Sequence, residues 1–187
     1  VSWAWREEQR KATRSPLIEL GSAPLEDPQF RAALFEQMGT NDLEGPLTAD
    51  IAGRPDSHAI RLDRQATDET KRLGLHQKAA TIILFASNGG QLRTEAAIGE
   101  IKAAIGRPEA NLAMVDPVLE GLVDSCYYLA ADRNRYRVSL TPQLNKVIAE
   151  RQAGVSEKAI DERVRKEIQT CFQAGPKDLD FERRFFP

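Results

Sequence analysis

The stretch CYYLAADRNRYRVS, residues 126–139, contains two β-rich runs on either side of a short polar segment. The runs are residues 126–129 and 135–139, and the polar segment is 131–134. Aromatic and β-branched residues favour strands, and a few polar residues between two such runs predict a β-hairpin. We therefore expect the chain to fold back on itself at residues 131–134.

Three helical stretches precede this hairpin. Residues 73–86 are apolar on most of their surface, as a buried helix would be. Thr94 is a typical cap for a second helix, and Asp116 followed by Pro117 is a typical start for a third. Three helices followed by a hairpin predict a winged helix, so we expect a mostly α fold.

The predicted module lies between two flanking segments of the 187-residue chain. We expect an N-terminal arm with one or two helices over residues 1–68, the winged-helix module over 69–140, and C-terminal helices with a tail over 141–187. Domains most often have roughly 100–150 residues, so this length suits one compact domain or two small ones.

Within the N-terminal arm, residues 3–14 predict a short amphipathic helix. Asp27 before Pro28 is a typical helix start and predicts a helix that extends to Met38. Residues 58–62 alternate between apolar and polar and predict a short strand.

The last predicted helix begins after Ser156, and its apolar residues Ile160, Val164 and Ile168 recur at four-residue steps. They predict a buried face. Acidic and basic residues interleave on the opposite face, which is typical of a face in contact with solvent. The two cysteines, Cys126 and Cys171, also stand in apolar surroundings and are expected to be buried thiols.

The composition sets broad limits on partners and location. The formal net charge is -2, which gives no global electrostatic reason to expect nucleic acid or an anionic membrane as a partner. No run approaches the roughly 18 apolar residues that a membrane span needs, so we expect a cytoplasmic protein. The chain begins at Val1 and ends at Pro187, and we expect it to be part of a longer polypeptide.

The third helix of the module is poorly suited to reading DNA. Major-groove recognition needs Arg, Lys, Asn or Gln on the exposed face of the helix. Residues 112–126 instead contain Asp116, Glu120 and Asp124 and neither Lys nor Arg. Carboxylates are repelled by phosphates, so we expect these three residues to contact a protein partner.

The hairpin has the opposite charge. Arg133, Arg135 and Arg137, together with Tyr136, are candidate contacts to a DNA backbone or minor groove. Alternatively, Arg135 and Arg137 alternate along a strand and form only its solvent face.

We find no catalytic residues, no metal ligands and no cofactor-binding residues in the sequence. Residues 87–90 are glycine-rich but follow a helix and lack the Gly-Lys-Ser/Thr of a P-loop. His58 and His76 are far apart and match no metal-binding spacing. Asp50, Asp56 and His58 occur close together and offer ligands to a cation, but such polar loops are usually held by Asx turns. We therefore expect no enzyme activity in this chain.

Several segments, taken in order, resemble a known family. The segments are residues 49–53, 59–63, 80–87, 127–129, 136–139 and 144–146. They resemble the region after the ATPase core in large predicted AAA+ proteins of bacteria and archaea, some of which accompany phage-defence systems of the PglY type. The resemblance implies a cytoplasmic, multidomain P-loop ATPase. The Walker segments are missing here, so ATP and Mg²⁺ would bind elsewhere in the parent protein.

Taken together, these observations predict a non-catalytic winged-helix accessory domain of a larger ATP-binding protein. Its partner would be the ATPase core of the parent chain or another protein. The alternative is a DNA-binding module that contacts the backbone through the hairpin arginines.

Overall fold

The computed structural model describes residues 2–3, 5–6, 18–88, 94–106 and 111–174, and these are mostly helical. They also contain one three-stranded antiparallel sheet. The prediction of a mostly α fold is confirmed. The chain divides into two compact units, residues 1–143 and 144–187, so the predicted N-terminal arm belongs to the same unit as residues 69–140.

The described residues of the first unit form six longer helices and three strands, joined by short helical turns at Leu20–Ser22, Glu44–Pro46, Leu47–Ile51 and Leu112–Met114. In chain order the longer elements are α1 (Pro28–Met38), α2 (His58–Gln65), α3 (Asp68–Leu73), α4 (Leu75–Ser87), β1 (Ala96–Ala97), α5 (Ile98–Ile105), α6 (Val115–Ser125), β2 (Leu129–Asp132) and β3 (Arg135–Val138).

Helix α1 confirms the prediction made from its start and stop residues. The Asp27 carboxylate accepts hydrogen bonds from the backbone N–H groups of Gln29 and Phe30, at 2.8 and 3.4 Å. Gly39 ends the helix with a φ of 67°, a conformation that glycine adopts without steric cost. The predicted helix over residues 3–14 falls mostly outside the described residues, although Trp3 and Trp5 are helical.

The predicted strand over residues 58–62 is wrong, because these residues begin helix α2. Its buried residues are His58, Ala59 and Asp63. Asp63 follows Ala59 by four positions and His58 by five, so the three residues lie on one face of the helix. A five-residue alternation was too short to distinguish a strand from the start of such a pattern.

Helix α4 is the centre of the first unit. Ala79, Ala80 and Ile83 are completely buried, and the helix packs against the turn at 20–22, α2, α5, α6 and β3. The Asp63 carboxylate of α2 caps its N-terminus by accepting hydrogen bonds from the N–H groups of His76 and Gln77, both at 3.0 Å. A partly buried ion pair between Lys78 and Glu19, at 2.9 Å, joins α4 to the segment before the first turn.

The starts of the next two helices differ from their predicted positions. Helix α5 begins at Ile98 rather than near Thr94, because Ala96 and Ala97 pair with β3. The turn before α6 is capped by Asn111, whose side chain accepts a hydrogen bond from the N–H of Ala113 at 3.0 Å. Asp116 is therefore not the cap.

The hairpin forms as predicted but begins later in the chain. Strand β2 starts at Leu129, and β3 lies between β1 and β2 in the sheet order β1-β3-β2. Leu129 pairs with Val138, and Asp132 pairs with Arg135. The two-residue connection begins at Arg133, whose positive φ of 54° is uncommon for a residue with a side chain.

Residues 126–128 lie outside the strands because their N–H groups bond elsewhere: that of Cys126 to the Leu122 carbonyl, and those of Tyr127 and Tyr128 to Asp50. Its buried carboxylate accepts from the N–H groups of Tyr127 and Tyr128, at 2.9 and 2.6 Å. The carbonyl groups of the same two tyrosines accept from Gln143 and Ser139, both at 2.8 Å. Asp50 therefore joins two segments that are distant in the sequence.

The second unit contains helices α7 (Leu144–Ala153) and α8 (Glu157–Ala174) among its described residues. The Ser156 hydroxyl accepts a hydrogen bond from the N–H of Ala159 at 3.3 Å, near the start of α8. The predicted buried face of α8 is exposed, with Ile160, Val164 and Ile168 each about half exposed. Cys126 is buried as predicted, but Cys171 is exposed, so that prediction is wrong.

Replacing Asp50 with Asn tests its role in the fold. We expect the free energy of unfolding to fall by about 1–3 kcal/mol, because the amide nitrogen would face a backbone N–H and leave a buried donor unsatisfied. Urea denaturation followed by circular dichroism measures the loss. Asp56→Asn is the matched control, since Asp56 is exposed in the same loop and its loss should stay within about 0.5 kcal/mol. Equal stability of the two variants would contradict the role given to Asp50.

Candidate functional site

Helix α6 presents two opposite faces. Val118, Leu119 and Leu122 are buried against the rest of the first unit. The predicted partner-contact residues Asp116, Glu120 and Asp124 lie four residues apart, and this spacing places them along one face of the helix. Glu120 and Asp124 are exposed, and Asp116 is partly buried.

This acidic face forms one wall of an open groove of about 480 Å³, and the hairpin forms the other. We call this groove the acidic groove. It brings together Asp116, Glu120 and Asp124 of α6 with Arg133 and Tyr136 of the hairpin. The sequence predicted a protein partner for the first group and DNA for the second. The lining residues of the groove are Ile98, Asp116, Glu120, Val123, Asp124, Ala131, Arg133, Asn134 and Tyr136.

Arg135 and Arg137 do not line the acidic groove. Successive side chains of a strand point to opposite faces, so the neighbours of Tyr136 lie on the other side of the sheet. There both guanidinium groups approach Glu95, at 3.8 and 3.7 Å, and more than half of each arginine side chain remains exposed. The structure therefore separates these two arginines from Tyr136, with which they were grouped by sequence.

The three carboxylates of the groove differ in their pairing. Lys102 of α5 donates a hydrogen bond to Asp116 at 2.9 Å, and the other Asp116 oxygen lies 2.8 Å from the same ammonium group. Neither Glu120 nor Asp124 forms an ion pair with any residue that the structure describes. Arg133, at the tip of the hairpin, also lines the groove, and it is exposed.

Tyr136 is the most deeply buried polar side chain of the groove, with only 8% of its surface exposed. Burial raises the pKa of its phenol above the ordinary value of 10.0, and the charges of Asp116 and Glu120 raise it further, against a smaller lowering by Lys102. The phenol is therefore neutral at physiological pH and can both donate and accept a hydrogen bond. The groove combines this phenol with unpaired carboxylates and the apolar side chains of Ile98 and Val123.

A second polar cluster, Asp63 with His76, has a structural role. His76 Nδ1 lies 2.9 Å from the Asp63 oxygen that also caps α4, and both side chains are buried. The other ring nitrogen faces α6, where a Cβ built on Gly121 would lie 3.5 Å from it. The pair therefore joins α2 to the start of α4.

The described residues also bear on a metal site and on a membrane span. Across the parts of the chain that the structure describes, no three His, Cys, Asp or Glu side chains are placed to hold a metal ion. Among the same residues, none of the helices has the length and apolar character that crossing a membrane requires.

Sequence reasoning missed Lys102, Ile98 and Glu95 as parts of this region. Lys102 stands one turn before the end of an ordinary amphipathic helix, and nothing in its local pattern indicates that it pairs with Asp116. The pairing of Ala96 with Tyr136, which brings α5 to the groove, had no sequence signal because alanine does not favour strands.

No family model, curated protein or solved structure matches this chain. The groove and its surroundings are therefore the basis for assigning a function.

The raised pKa of Tyr136 predicts how stability changes at high pH. A raised pKa means that the folded state holds the proton more tightly, so this stabilisation is complete below pH 10.0 and is lost as pH rises through the folded pKa. We expect the free energy of unfolding of the protein to fall more steeply above that pH than that of the Tyr136→Phe variant. Urea denaturation across this pH range checks the difference, and parallel curves would contradict it.

Neutralising Glu120 should move the same pKa in the opposite direction. Removal of a nearby negative charge makes the phenolate less unfavourable, so Glu120→Gln should lower the pKa of Tyr136 toward its ordinary value. Carbon-13 NMR of labelled tyrosine rings follows the titration, with Tyr136 assigned from the Tyr136→Phe spectrum. Asp132→Asn is the control, because Asp132 precedes the turn on the face of β2 opposite Ala131. It should leave the pKa unchanged.

Proposed function

We propose that residues 69–140 form a winged-helix module that contacts protein rather than DNA. The order of elements supports this fold: helix α4, strand β1, helices α5 and α6, and then the hairpin. The sheet order β1-β3-β2 also supports it, because the hairpin packs beside the third helix as a wing.

The acidic face of α6 is the single observation that carries the preference for protein. In a DNA-reading module this helix enters the major groove, between phosphates that occur about every 1.7 Å along the duplex axis. Asp116, Glu120 and Asp124 would stand at that surface, and only Asp116 has a cation beside it among the described residues. Repulsion opposes docking on DNA, whereas a protein surface with basic groups has complementary charge.

The proposed setting is an accessory role in a larger cytoplasmic ATP-binding protein. The partner is the ATPase core of that protein or another protein, and ATP and Mg²⁺ bind there rather than in this chain. The basis is the resemblance to the region after the ATPase core of predicted AAA+ proteins. Two of the segments that carry it, residues 49–53 and 127–129, are joined through the Asp50 carboxylate. Their shared role is therefore structural, which suits a scaffold without catalytic residues.

DNA binding through the hairpin arginines is the second candidate function. The observation in its favour is the exposure of Arg133, Arg135 and Arg137 at one end of the sheet. Glu95 holds Arg135 and Arg137 only at 3.8 and 3.7 Å, which leaves their hydrogen-bond donors free to reach a phosphate.

Fluorescence anisotropy of a labelled DNA duplex distinguishes the two candidates. We expect no binding at micromolar protein at either about 50 or about 200 mM salt, because the acidic face repels phosphates that the hairpin could otherwise contact. The double variant Glu120→Gln with Asp124→Asn tests whether this repulsion prevents binding. It should bind the duplex more tightly than the unmodified protein at the lower salt.

Salt-sensitive binding by the unmodified protein would favour the second candidate. In that case DNA binding should be lost in the double variant Arg133→Ala with Arg135→Ala, because those two arginines would supply the phosphate contacts. Binding that survives both substitutions would show contacts outside the hairpin and would also overturn the protein-contact proposal.

A further inference from the structure

We infer that the acidic groove binds an arginine side chain from a basic segment of the partner protein. This inference rests on the proposed function, since it names the chemistry of the partner at the same site. The first observation behind it is the burial of Tyr136, of whose surface only 8% is exposed. The Tyr136 hydroxyl has no hydrogen-bond partner among the residues that the structure describes.

Tyr136 lines the groove together with Asp116 and Glu120. After burial, the charges of these two carboxylates are the next causes that raise the pKa of its phenol. The ring of Tyr136 is buried, whereas its hydroxyl oxygen is not among the buried atoms that lack a partner, so it is accessible from the open groove. A ligand in the groove can therefore donate hydrogen bonds to the phenol as well as to the carboxylates.

The charge of the groove selects a cation. Lys102 neutralises Asp116, and it also shows that this face accepts a primary ammonium group at 2.8 Å. Glu120 and Asp124 remain, and among the described residues that line the groove Arg133 is the only cation. The carboxylates therefore outnumber the cations even when Arg133 and Lys102 are both counted.

The arrangement of the carboxylates favours a guanidinium group over a metal ion. Residues four apart on a helix have Cβ atoms about 5–6 Å from each other, and among the described residues no three His, Cys, Asp or Glu side chains are placed to hold a metal ion. A guanidinium is planar, carries five N–H donors and can bridge two carboxylates at that separation. Its remaining donors reach the phenol oxygen of Tyr136.

The size and lining of the groove fit one long side chain with part of its backbone. Its volume of about 480 Å³ lies within the range of pockets that hold small ligands, about 300–1,000 Å³. Ile98 and Val123 provide apolar surface for the methylene groups of an arginine, which pack on such surface while the charged end remains hydrogen-bonded.

The test uses the full chain and dye-labelled pentapeptides with two arginines separated by alanine and flanked by glycine. Matched peptides carry lysine or the neutral analogue citrulline in place of arginine. We expect the arginine peptide to bind and to shift the amide NMR signals of α6 and the hairpin. The citrulline peptide should not bind, and the lysine peptide should bind several-fold more weakly because a compact, strongly hydrated ammonium lacks the planar set of five donors of a guanidinium.

Substitutions in the groove should weaken binding of the arginine peptide by about tenfold each, as expected for loss of a hydrogen bond to a charged group. The variants are Glu120→Gln, Asp124→Asn and Tyr136→Phe, and the last keeps the buried ring while removing only the hydroxyl. Asp132→Asn is the control, because it removes an exposed carboxylate from the other face of the sheet and should leave affinity unchanged.

Each other outcome has a definite meaning. No binding of the arginine peptide, or binding that Glu120→Gln and Asp132→Asn weaken equally, would overturn the assignment of arginine to this groove. Equal binding of the lysine peptide would overturn the guanidinium preference. If neither the arginine peptide nor the DNA duplex binds, the proposed contact with a protein still stands, but the groove recognises a different chemical group of that protein. If the duplex binds and shifts the signals of α6, the proposed function fails as well.

Discussion

The hydrogen bonds of the Asp50 carboxylate determine how helix α6 connects to the hairpin. A buried carboxylate is costly unless hydrogen bonds compensate it, and here the N–H groups of Tyr127 and Tyr128 do so. The carbonyl groups of the same residues hold the chain that leaves the hairpin. The aromatic ring of Tyr127 also packs edge-on against His58, at 4.4 Å between ring centres. These contacts fix the position of both walls of the acidic groove.

The support for the module therefore comes from the segment that precedes it. Asp63 caps α4, Glu19 pairs with Lys78 of the same helix, and Asp50 holds the start of the hairpin. Leu25, Leu47 and Ile51 add completely or almost completely buried apolar surface. The segment that the sequence predicted to be a separate arm thus contributes both polar and apolar contacts to one core.

Local sequence patterns predicted most of the regular elements but few of the contacts between them. Helix α1 had a start residue and a stop residue, and the hairpin had two β-rich runs, so both were predictable from a few neighbouring positions. Strand β1 has two alanines and exists only because β3 offers a free edge, which no local pattern reveals. The side of the sheet on which Arg135 and Arg137 lie follows from strand alternation, whereas the groove beside Tyr136 depends on the packing of α6.

Helix α6 separates the residues that hold the fold from those that line the groove. Its apolar face is buried, while Glu120 and Asp124 are exposed and form no ion pair with the described residues. Substitutions at exposed, unpaired positions usually change stability by no more than about 0.5 kcal/mol. Partner choice can therefore change during evolution, one carboxylate at a time, without a folding penalty. Asp50 and Asp63 have no such freedom.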